Sequence, residues 1–126
     1  FNGSGGMEFP MFVNDGDFGG SAFDAEVTAH EVAHTYFPFY MGINERKYSW
    51  MDEGWAQFLP NWLEFDIRNF GGKKYKPQQG NAQTFAQAAG SEDDIPLIVP
   101  TNQIKSAASH GLAAYYRPAQ AYAFLK

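Results

Sequence analysis

Apolar and polar positions divide the beginning of the chain into a short strand and a long helix. Met7 to Val13 is a short apolar run flanked by glycines, which predicts a strand, and Pro10 suits an edge position. Residues 14–20 have the composition of a turn or loop. Helical signals begin at Ser21, where Asp24 takes the place of the Glu or Gln of a capping box.

The first predicted helix runs from Ser21 to about Phe37 and ends there because Pro38 disfavours helical geometry in the residue before it. Three small residues at four-residue spacing permit close packing of this helix against a neighbouring element. They are Ala25, Ala29 and Ala33.

After a connecting segment of residues 39–48, a second helix is predicted to begin near Met51, and Pro60 is expected to kink or restart it. Helix dominates the rest of the chain, so the predicted class is mainly α (α+β), in one domain over residues 1–126. The remaining predictions are a loop over residues 71–80, a short helix over 81–89 with Asn81 as cap and Gly90 as stop, an extended or irregular segment over 91–100, and a final helix from about Arg117 with Pro118 in its first turn.

Composition and charge limit the classes of function. The chain has 126 residues, of which 44% are hydrophobic and 17% aromatic, so it is globular and long enough to bury a core. A net charge of −5 argues against nucleic acid as a partner, and the basic run of residues 73–76 is interpreted as a solvated loop. No apolar stretch approaches the length of a membrane span. The lack of Cys excludes disulfides and thiolate metal sites.

Two of the three histidines fall in the segment His30-Glu31-Val32-Ala33-His34, inside the first predicted helix. Positions i and i+4 share a helix face, so His30 and His34 can ligate one zinc ion through neutral imidazoles. Glu31 lies beside them and can take a proton from a zinc-bound water. A catalytic zinc needs a third protein ligand and an open fourth position. Glu53, after eighteen further residues, is the natural choice for that ligand.

The spacing after His34 distinguishes between classes of zinc peptidase. A metzincin would have Gly and His at the positions held by Phe37 and Tyr40, so that class is excluded. A glutamate ligand on a second helix marks the gluzincins instead. The segment Asp52-Glu53-Gly54-Trp55-Ala56 resembles the Asn-Glu-Gly-Phe-Ala pattern of M1 aminopeptidases. Asp52 could be the ligand in principle, but the register of this resemblance favours Glu53.

Two further segments resemble the M1 family in the same order. Gly5-Gly6-Met7-Glu8-Phe9 is similar to its Gly-x-Met-Glu-Asn strand, which precedes the zinc helix, and adjacent glycines let a substrate backbone approach. The resemblance implies that Glu8 binds the free α-ammonium group of a peptide.

The segment from His110 to Ala119 is similar to the family's Tyr-x-Lys-Gly-Ala segment. The resemblance implies that Tyr115 hydrogen-bonds the developing oxyanion, with its neighbour Tyr116 as the competing choice. His110 is interpreted as a structural or surface residue, because a catalytic zinc keeps one position for water.

This resemblance covers residues 5 to about 125 and implies a thermolysin-like gluzincin fold, built from a zinc helix, a second ligand helix and a short substrate-binding edge strand. It implies a zinc aminopeptidase that holds one Zn²⁺ and acts on peptides with a free N-terminus. The departures from the family pattern are Phe9, Asp52 and Arg117-Pro118, which stand where the family has Asn, Asn and Lys-Gly.

Three alternatives stay open beside the aminopeptidase interpretation. They are an endopeptidase of the thermolysin type, an epoxide hydrolase on an M1 scaffold, and a non-catalytic binding or scaffold module that keeps a gluzincin fold. The chain opens on Phe1-Asn2-Gly3-Ser4 without an initiator Met, so we expect it to be part of a larger catalytic domain. We expect the parent chain to contain other domains, and this part need not be active without them.

Overall fold

The computed structural model describes residues 5–17, 21–69 and 77–125, and it describes side chains over 5–17, 24–63 and 80–125. The described part of the chain is mainly helical with a small two-stranded sheet, so the predicted mainly α (α+β) class is confirmed. Its elements are β1 (Met7–Phe9), β2 (Phe12–Asn14), α1 (Ser21–Ala33), α2 (Glu53–Asn69), α3 (Pro77–Ala88), α4 (Ala107–Gly111) and α5 (Arg117–Leu125), with 3-10 turns at Ser49–Met51 and Thr101–Gln103 and π-helical segments at Thr35–Tyr40 and Leu112–Tyr116.

The predicted N-terminal strand is an antiparallel hairpin. Glu8 pairs with Val13 in the register of β1 and β2, and the rings of Phe9 and Phe12 stack with centroids 4.7 Å apart. Pro10 therefore lies at the turn, not on the edge of one long strand. Proline favours the second position of a turn, and Met11 follows it with φ of 77°, the left-handed value that type II turns need at their third position.

The predicted break before Pro38 is present at Phe37, but regular α-helix already ends four residues earlier, and a π-helical segment lies across the break. Regular α-helix ends at Ala33, and Phe37 leaves the helical region with φ of −125° and ψ of 104°. This extended geometry is what a following proline imposes, and Pro38 is buried. The carbonyl of Phe37 consequently points away from the helix axis and becomes free to accept a side-chain hydrogen bond.

The second helix begins near the predicted position, but the prediction that Pro60 restarts it is wrong. A 3-10 turn ends at Met51, and α2 then continues through Pro60 to Asn69. Proline inside a helix removes one hydrogen bond, at a cost of about 3 kcal/mol. Packing of α2 against α1 and α5 outweighs this cost, and Pro60 itself is buried.

Two helix starts in the C-terminal half were predicted too late. α3 begins at Pro77, so Asn81 is not its cap, whereas Gly90 follows its end with φ of 77° as predicted. Of the predicted loop over residues 71–80, residues 71–76 lie outside the described part. The irregular segment over residues 91–100 is confirmed.

The last helical region begins at Ala107, ten residues before the predicted start at Arg117. The side chain of Ser106 accepts hydrogen bonds from the backbone amides of Ala108 and Ser109, which is the standard N-cap arrangement. Arg117 and Pro118 therefore lie within an extended helical path, not in its first turn.

The described core lies where α5 packs on α2. Phe58, Ala119 and Tyr122 form its buried centre, and the rings of Trp55 and Tyr122 stack with centroids 3.9 Å apart. Four further aromatic or aliphatic residues surround this centre, namely Trp50, Leu59, Trp62 and Ala123. This packing fixes the position of the first turn of α2, which carries the acidic residues of the candidate site.

The contact between α2 and α5 is tight enough to require glycine at position 54. A Cβ atom there would lie 2.6 Å from Cβ of Pro118 and 3.2 Å from a ring carbon of Tyr122. We expect Gly54→Ala to lower the free energy of unfolding by about 1–3 kcal/mol, the usual cost of overpacking. Urea unfolding of the metal-free protein measures this change.

Gly111 provides the matched control. It has helical φ and ψ, and a Cβ atom added there meets nothing within 4 Å. Gly111→Ala should therefore stabilise the protein by about 0.5–1 kcal/mol through helix propensity alone. Equal effects of the two substitutions would contradict the packing argument.

Candidate metal centre

The two histidines of the first helix meet through their ring nitrogens. Nε2 of His30 lies 3.2 Å from Nε2 of His34, and the two rings are nearly perpendicular, with centroids 4.9 Å apart. This arrangement follows from the spacing of four residues, which places both side chains on one face of the helix. His34 is almost fully buried, whereas His30 keeps partial access to solvent.

Glu53 completes a triangle of donor atoms with the two histidines. Its Oε2 atom lies 3.1 Å from Nε2 of His30 and 3.3 Å from Nε2 of His34. Zinc in tetrahedral coordination has bonds of about 2.0–2.1 Å, which places neighbouring ligand atoms about 3.3–3.4 Å apart. The three observed separations, 3.1, 3.2 and 3.3 Å, are close to that value. The residues present therefore fit a zinc ion.

The opposite nitrogen of His34 is held by two oxygen atoms. Nδ1 donates to Oδ1 of Asp52 at 2.6 Å and to the backbone oxygen of Phe37 at 2.8 Å. Because these acceptors take the proton on Nδ1, the neutral ring carries its lone pair on Nε2, which faces Glu53. A carboxylate that orients a histidine in this way is a common partner of zinc ligands.

Asp52 therefore lies on the Nδ1 side of His34, whereas Glu53 lies on the Nε2 side. Sequence analysis left Asp52 open as an alternative ligand and did not find its bond to His34. Donor atoms of Glu8, His34 and Asp52 also lie within 4.8 Å of one another, so a third acidic residue, after Glu53 and Asp52, approaches His34 from the hairpin.

The charges of the cluster are mutually dependent. Burial raises the pKa of Glu53, but hydrogen bonds from His30 and His34 outweigh that effect and hold the pKa at about 2. Burial lowers the pKa of His34, but its hydrogen bonds to Asp52 and Glu53 raise the pKa well above the usual range. The site thus holds Glu53 ionised by placing positive charge beside it, whereas burial outweighs the His34 hydrogen bond at Asp52 and raises the pKa of Asp52 to about 6. A bound metal dication would supply that charge in place of the His34 proton.

Glu31 lies on α1 between the two histidines, and the residue is 6% exposed. Its Oε2 atom is buried and has no hydrogen-bond partner in the described structure. Burial raises the pKa of Glu31, the charges of His30 and His34 lower it, and Glu8 adds a smaller rise. A carboxylate with a raised pKa near a metal ligand is suited to proton transfer.

The hairpin of β1 and β2 lies directly against this carboxyl group. A Cβ atom at Gly6 would overlap Oε1 of Glu31, so only glycine permits the backbone to pass at this distance. Gly5 precedes it with φ of 109°, a value that also favours glycine. Glu8 is partly buried at the centre of β1, while Met7 is 46% exposed. Of the four residues that the resemblance proposed for substrate binding, Gly5 and Gly6 line the cavity beside His30, and Glu8 lies close to His34 and Asp52. Met7 is not among the residues that line this cavity.

Of the two neighbouring tyrosines, Tyr115 contacts the donor triangle of His30, His34 and Glu53. Its hydroxyl donates to Oε1 of Glu53 at 2.7 Å, and its ring lies nearly parallel to that of His30 with centroids 6.0 Å apart. The ring of His110 packs edge-to-face against the ring of Tyr115, with centroids 6.1 Å apart. The π-helical turn Leu112–Tyr116 sets this orientation, and π-helical turns are frequent at functional sites.

A cavity of about 400 Å³ opens beside the cluster, between α1, α2 and the π-helical turn. Glu26 and Gln57 are polar residues that line this cavity and were not predicted. Helical spacing would have predicted them, since Glu26 lies four residues before His30 and Gln57 lies four residues after Glu53. Asn61 follows after another four residues and is buried. Tyr116 also lines this cavity.

Comparison with known proteins adds no relative: no family model matches the chain, and no curated protein or solved structure matches it. Among the described residues, no helix is long and apolar enough to cross a membrane. The chemistry of the site must therefore be argued from its own residues.

The bond between Asp52 and His34 leads to a prediction about metal affinity. Asp52→Asn keeps an acceptor oxygen but removes the charge that orients and polarises the ring, so zinc affinity should fall about 10–100-fold. Competition with a chromophoric chelator measures the affinity.

Asp94→Asn is the matched control, since Asp94 pairs with Arg117 away from the cluster. It should leave zinc affinity unchanged. A folded Asp52→Asn protein with unaltered zinc affinity would show that Asp52 plays no part in metal binding.

Proposed function

We propose that the chain belongs to a zinc-dependent metallopeptidase of the M1 aminopeptidase type, with a gluzincin catalytic fold. The observation that carries the proposal is the triangle of donor atoms from His30, His34 and Glu53, whose sides match those of tetrahedral zinc. The residues that the sequence resemblance selected are the same ones that the fold brings together. Zinc bound there would supply a Lewis acid for the scissile carbonyl and for the attacking water.

Glu31 is the proposed general base. Its buried carboxyl group lies on the turn between the two histidine ligands, and the raised pKa suits the acceptance of a proton from water followed by its donation to the leaving amine. The unpartnered Oε2 atom supports this role, because a buried carboxylate oxygen without a donor is costly unless a substrate or a water molecule completes it.

Tyr115 is the proposed donor to the oxygen of the scissile carbonyl. Its hydroxyl donates to Glu53, at the edge of the donor triangle, so it lies beside the position where negative charge develops during hydrolysis. Burial first, and then the charge and hydrogen bond of Glu53, raise the pKa of Tyr115 far above its usual range. The group therefore stays protonated and can donate at any physiological pH.

Glu8 is the group that favours an aminopeptidase over an endopeptidase of the thermolysin type. It approaches His34 and Asp52 from β1, and its charge acts on the pKa values of Glu31, Asp52 and Tyr115. A carboxylate at this place can bind the α-ammonium group of a peptide with a free N-terminus. Gly5, Gly6 and Met7 would then lie along the first residues of that substrate. In this proposal other domains of a larger parent chain complete the cleft.

The role of Glu31 can be tested by Glu31→Gln, assayed with an aminoacyl anilide on this chain and on a longer parent chain. We expect zinc to be retained and turnover to fall by about 10²–10⁴-fold, because only proton transfer is lost. Zinc content by atomic absorption and the rate of anilide release are the two readouts.

Glu92→Gln, a substitution of an exposed glutamate, serves as the control and should keep both zinc and activity. Undiminished turnover of the Glu31→Gln protein would contradict the assignment of the base. Zinc binding without hydrolysis by either chain would favour the non-catalytic module.

The role of Glu8 can be tested by comparing a free aminoacyl anilide with its N-acetylated form. We expect cleavage of the free form alone, because acetylation removes the charge that Glu8 binds. Glu8→Gln should lower kcat/KM for the free anilide and so bring it closer to the value for the N-acetylated form. Equal cleavage of both by the unsubstituted protein would reject exopeptidase action and favour an endopeptidase.

A further inference from the structure

A second cavity lies on the segment that follows α1, and we call it the loop cavity. Its described lining residues all belong to the range 38–46, and its volume is about 400 Å³, which is within the range of ligand pockets. Among the described residues, it has no lining residue in common with the cavity beside His30. A ligand of the loop cavity would therefore leave the donor triangle free.

The wall of the loop cavity carries two opposite charges that do not pair with each other. Glu45 is partly buried, and its Oε2 atom is buried without a hydrogen-bond partner in the described structure. Arg46, the next residue, is exposed and has no hydrogen bond or ion pair to any described residue. A buried carboxylate oxygen without a donor is unusual in a folded protein and indicates that another group completes it.

The rest of the wall is apolar and is held in place by backbone hydrogen bonds. Phe39 and Ile43 are partly buried lining residues, and Pro38 beside them is buried. The amide of Ile43 donates to the carbonyl of Pro38 at 3.1 Å, and the amide of Tyr48 donates to the carbonyl of Asn44 at 2.9 Å. Because the backbone is already ordered, a ligand would pay little entropy to organise this cavity.

We propose that the loop cavity binds a free amino acid with an apolar side chain. The ammonium and carboxylate groups of such a ligand share one carbon atom, so two neighbouring side chains of opposite charge can bind both. The ammonium would donate to Glu45, the carboxylate would accept from Arg46, and the side chain would pack on Phe39 and Ile43. A simple cation would leave Arg46 unpaired, and a simple anion would leave Glu45 unpaired.

This inference goes beyond the proposed function, because neither zinc nor hydrolysis enters it. Its test is an NMR titration of the metal-free protein, in which the ligand cannot chelate zinc, with L-leucine, N-acetyl-leucine, leucinamide and glycine. We expect leucine to shift the amide signals of Gly42 and Ile43. It should bind about fivefold or more tightly than each of the two blocked forms, which lack one charge, and than glycine, which lacks the side chain.

Two substitutions identify the groups that bind each charge. Glu45→Gln should make leucine and N-acetyl-leucine bind equally and keep the preference for leucine over leucinamide. Arg46→Gln should do the reverse, and because Arg46 is exposed, this variant tests the inference even if Glu45→Gln does not fold. The matched controls, Glu92→Gln and Lys105→Gln, remove exposed charges elsewhere and should leave the affinity for leucine unchanged.

Three results would overturn the inference: no saturable binding of leucine, equal binding of leucine and its blocked forms, or shifts at Gly6 and Glu31 in place of those at Gly42 and Ile43. Failure of the peptidase proposal is a separate result, since an inactive zinc-loaded protein could still bind leucine in the loop cavity. Conversely, anilide hydrolysis without leucine binding would leave the peptidase proposal intact.

Discussion

The buried hydrogen bond between His34 and Asp52 is the interaction on which the site depends. It joins the C-terminal end of α1 to the turn before α2, and it determines which nitrogen of His34 carries a lone pair. Without an acceptor on the Nδ1 side, the ring could turn or change tautomer, and Nε2 would not face Glu53. The carbonyl of Phe37 strengthens the same arrangement, and it can do so only because the backbone becomes extended before Pro38.

The hydrophobic core and the donor triangle of His30, His34 and Glu53 are linked through the first turn of α2. Stacking of Trp55 on Tyr122 and the close contact of Gly54 with Pro118 hold the first turn of α2 against α5. Glu53 belongs to that same turn, so its carboxylate is positioned by packing on one side and by hydrogen bonds on the other. A preformed arrangement of this kind lowers the cost of ordering ligands when a metal binds.

The parts of the structure that sequence could predict are those fixed by local geometry. Spacing within one helix predicted that His30 and His34 meet, and the mainly helical class followed from composition and periodicity. Glu53 follows the motif after eighteen intervening residues, and its choice depended on the chemistry of zinc and on family resemblance. The partner of Nδ1 could not be predicted, because it depends on the extended geometry of Phe37 and on the tertiary approach of α2.

The wrong predictions have two physical causes: tertiary packing outweighs local preference at Pro60, whereas local cap and turn signals were overlooked at Ser106 and Pro10. Pro60 was expected to kink or restart α2, but α2 continues through it, and burial of the helix compensates for the missing hydrogen bond. The start at Ala107 was missed because Ser106 was not recognised as a cap. The hairpin was taken for a single strand because a turn at Pro10 and Met11 requires a non-glycine residue with positive φ, which pattern analysis disfavours.

The π-helical turn Leu112–Tyr116 has a consequence for how this chain can vary. Each residue of an α-helix adds about 100° of rotation about the helix axis, and a π-helical turn contains more residues than an α-helical turn. The number of residues in Leu112–Tyr116 therefore determines which side chains of α4 and α5 face the same direction. Loss of one residue there would rotate the Tyr115 hydroxyl away from Glu53 while α5 kept its packing on α2. The length of this turn is therefore constrained by the contact between Tyr115 and Glu53, so the turn should tolerate substitutions more readily than insertions or deletions.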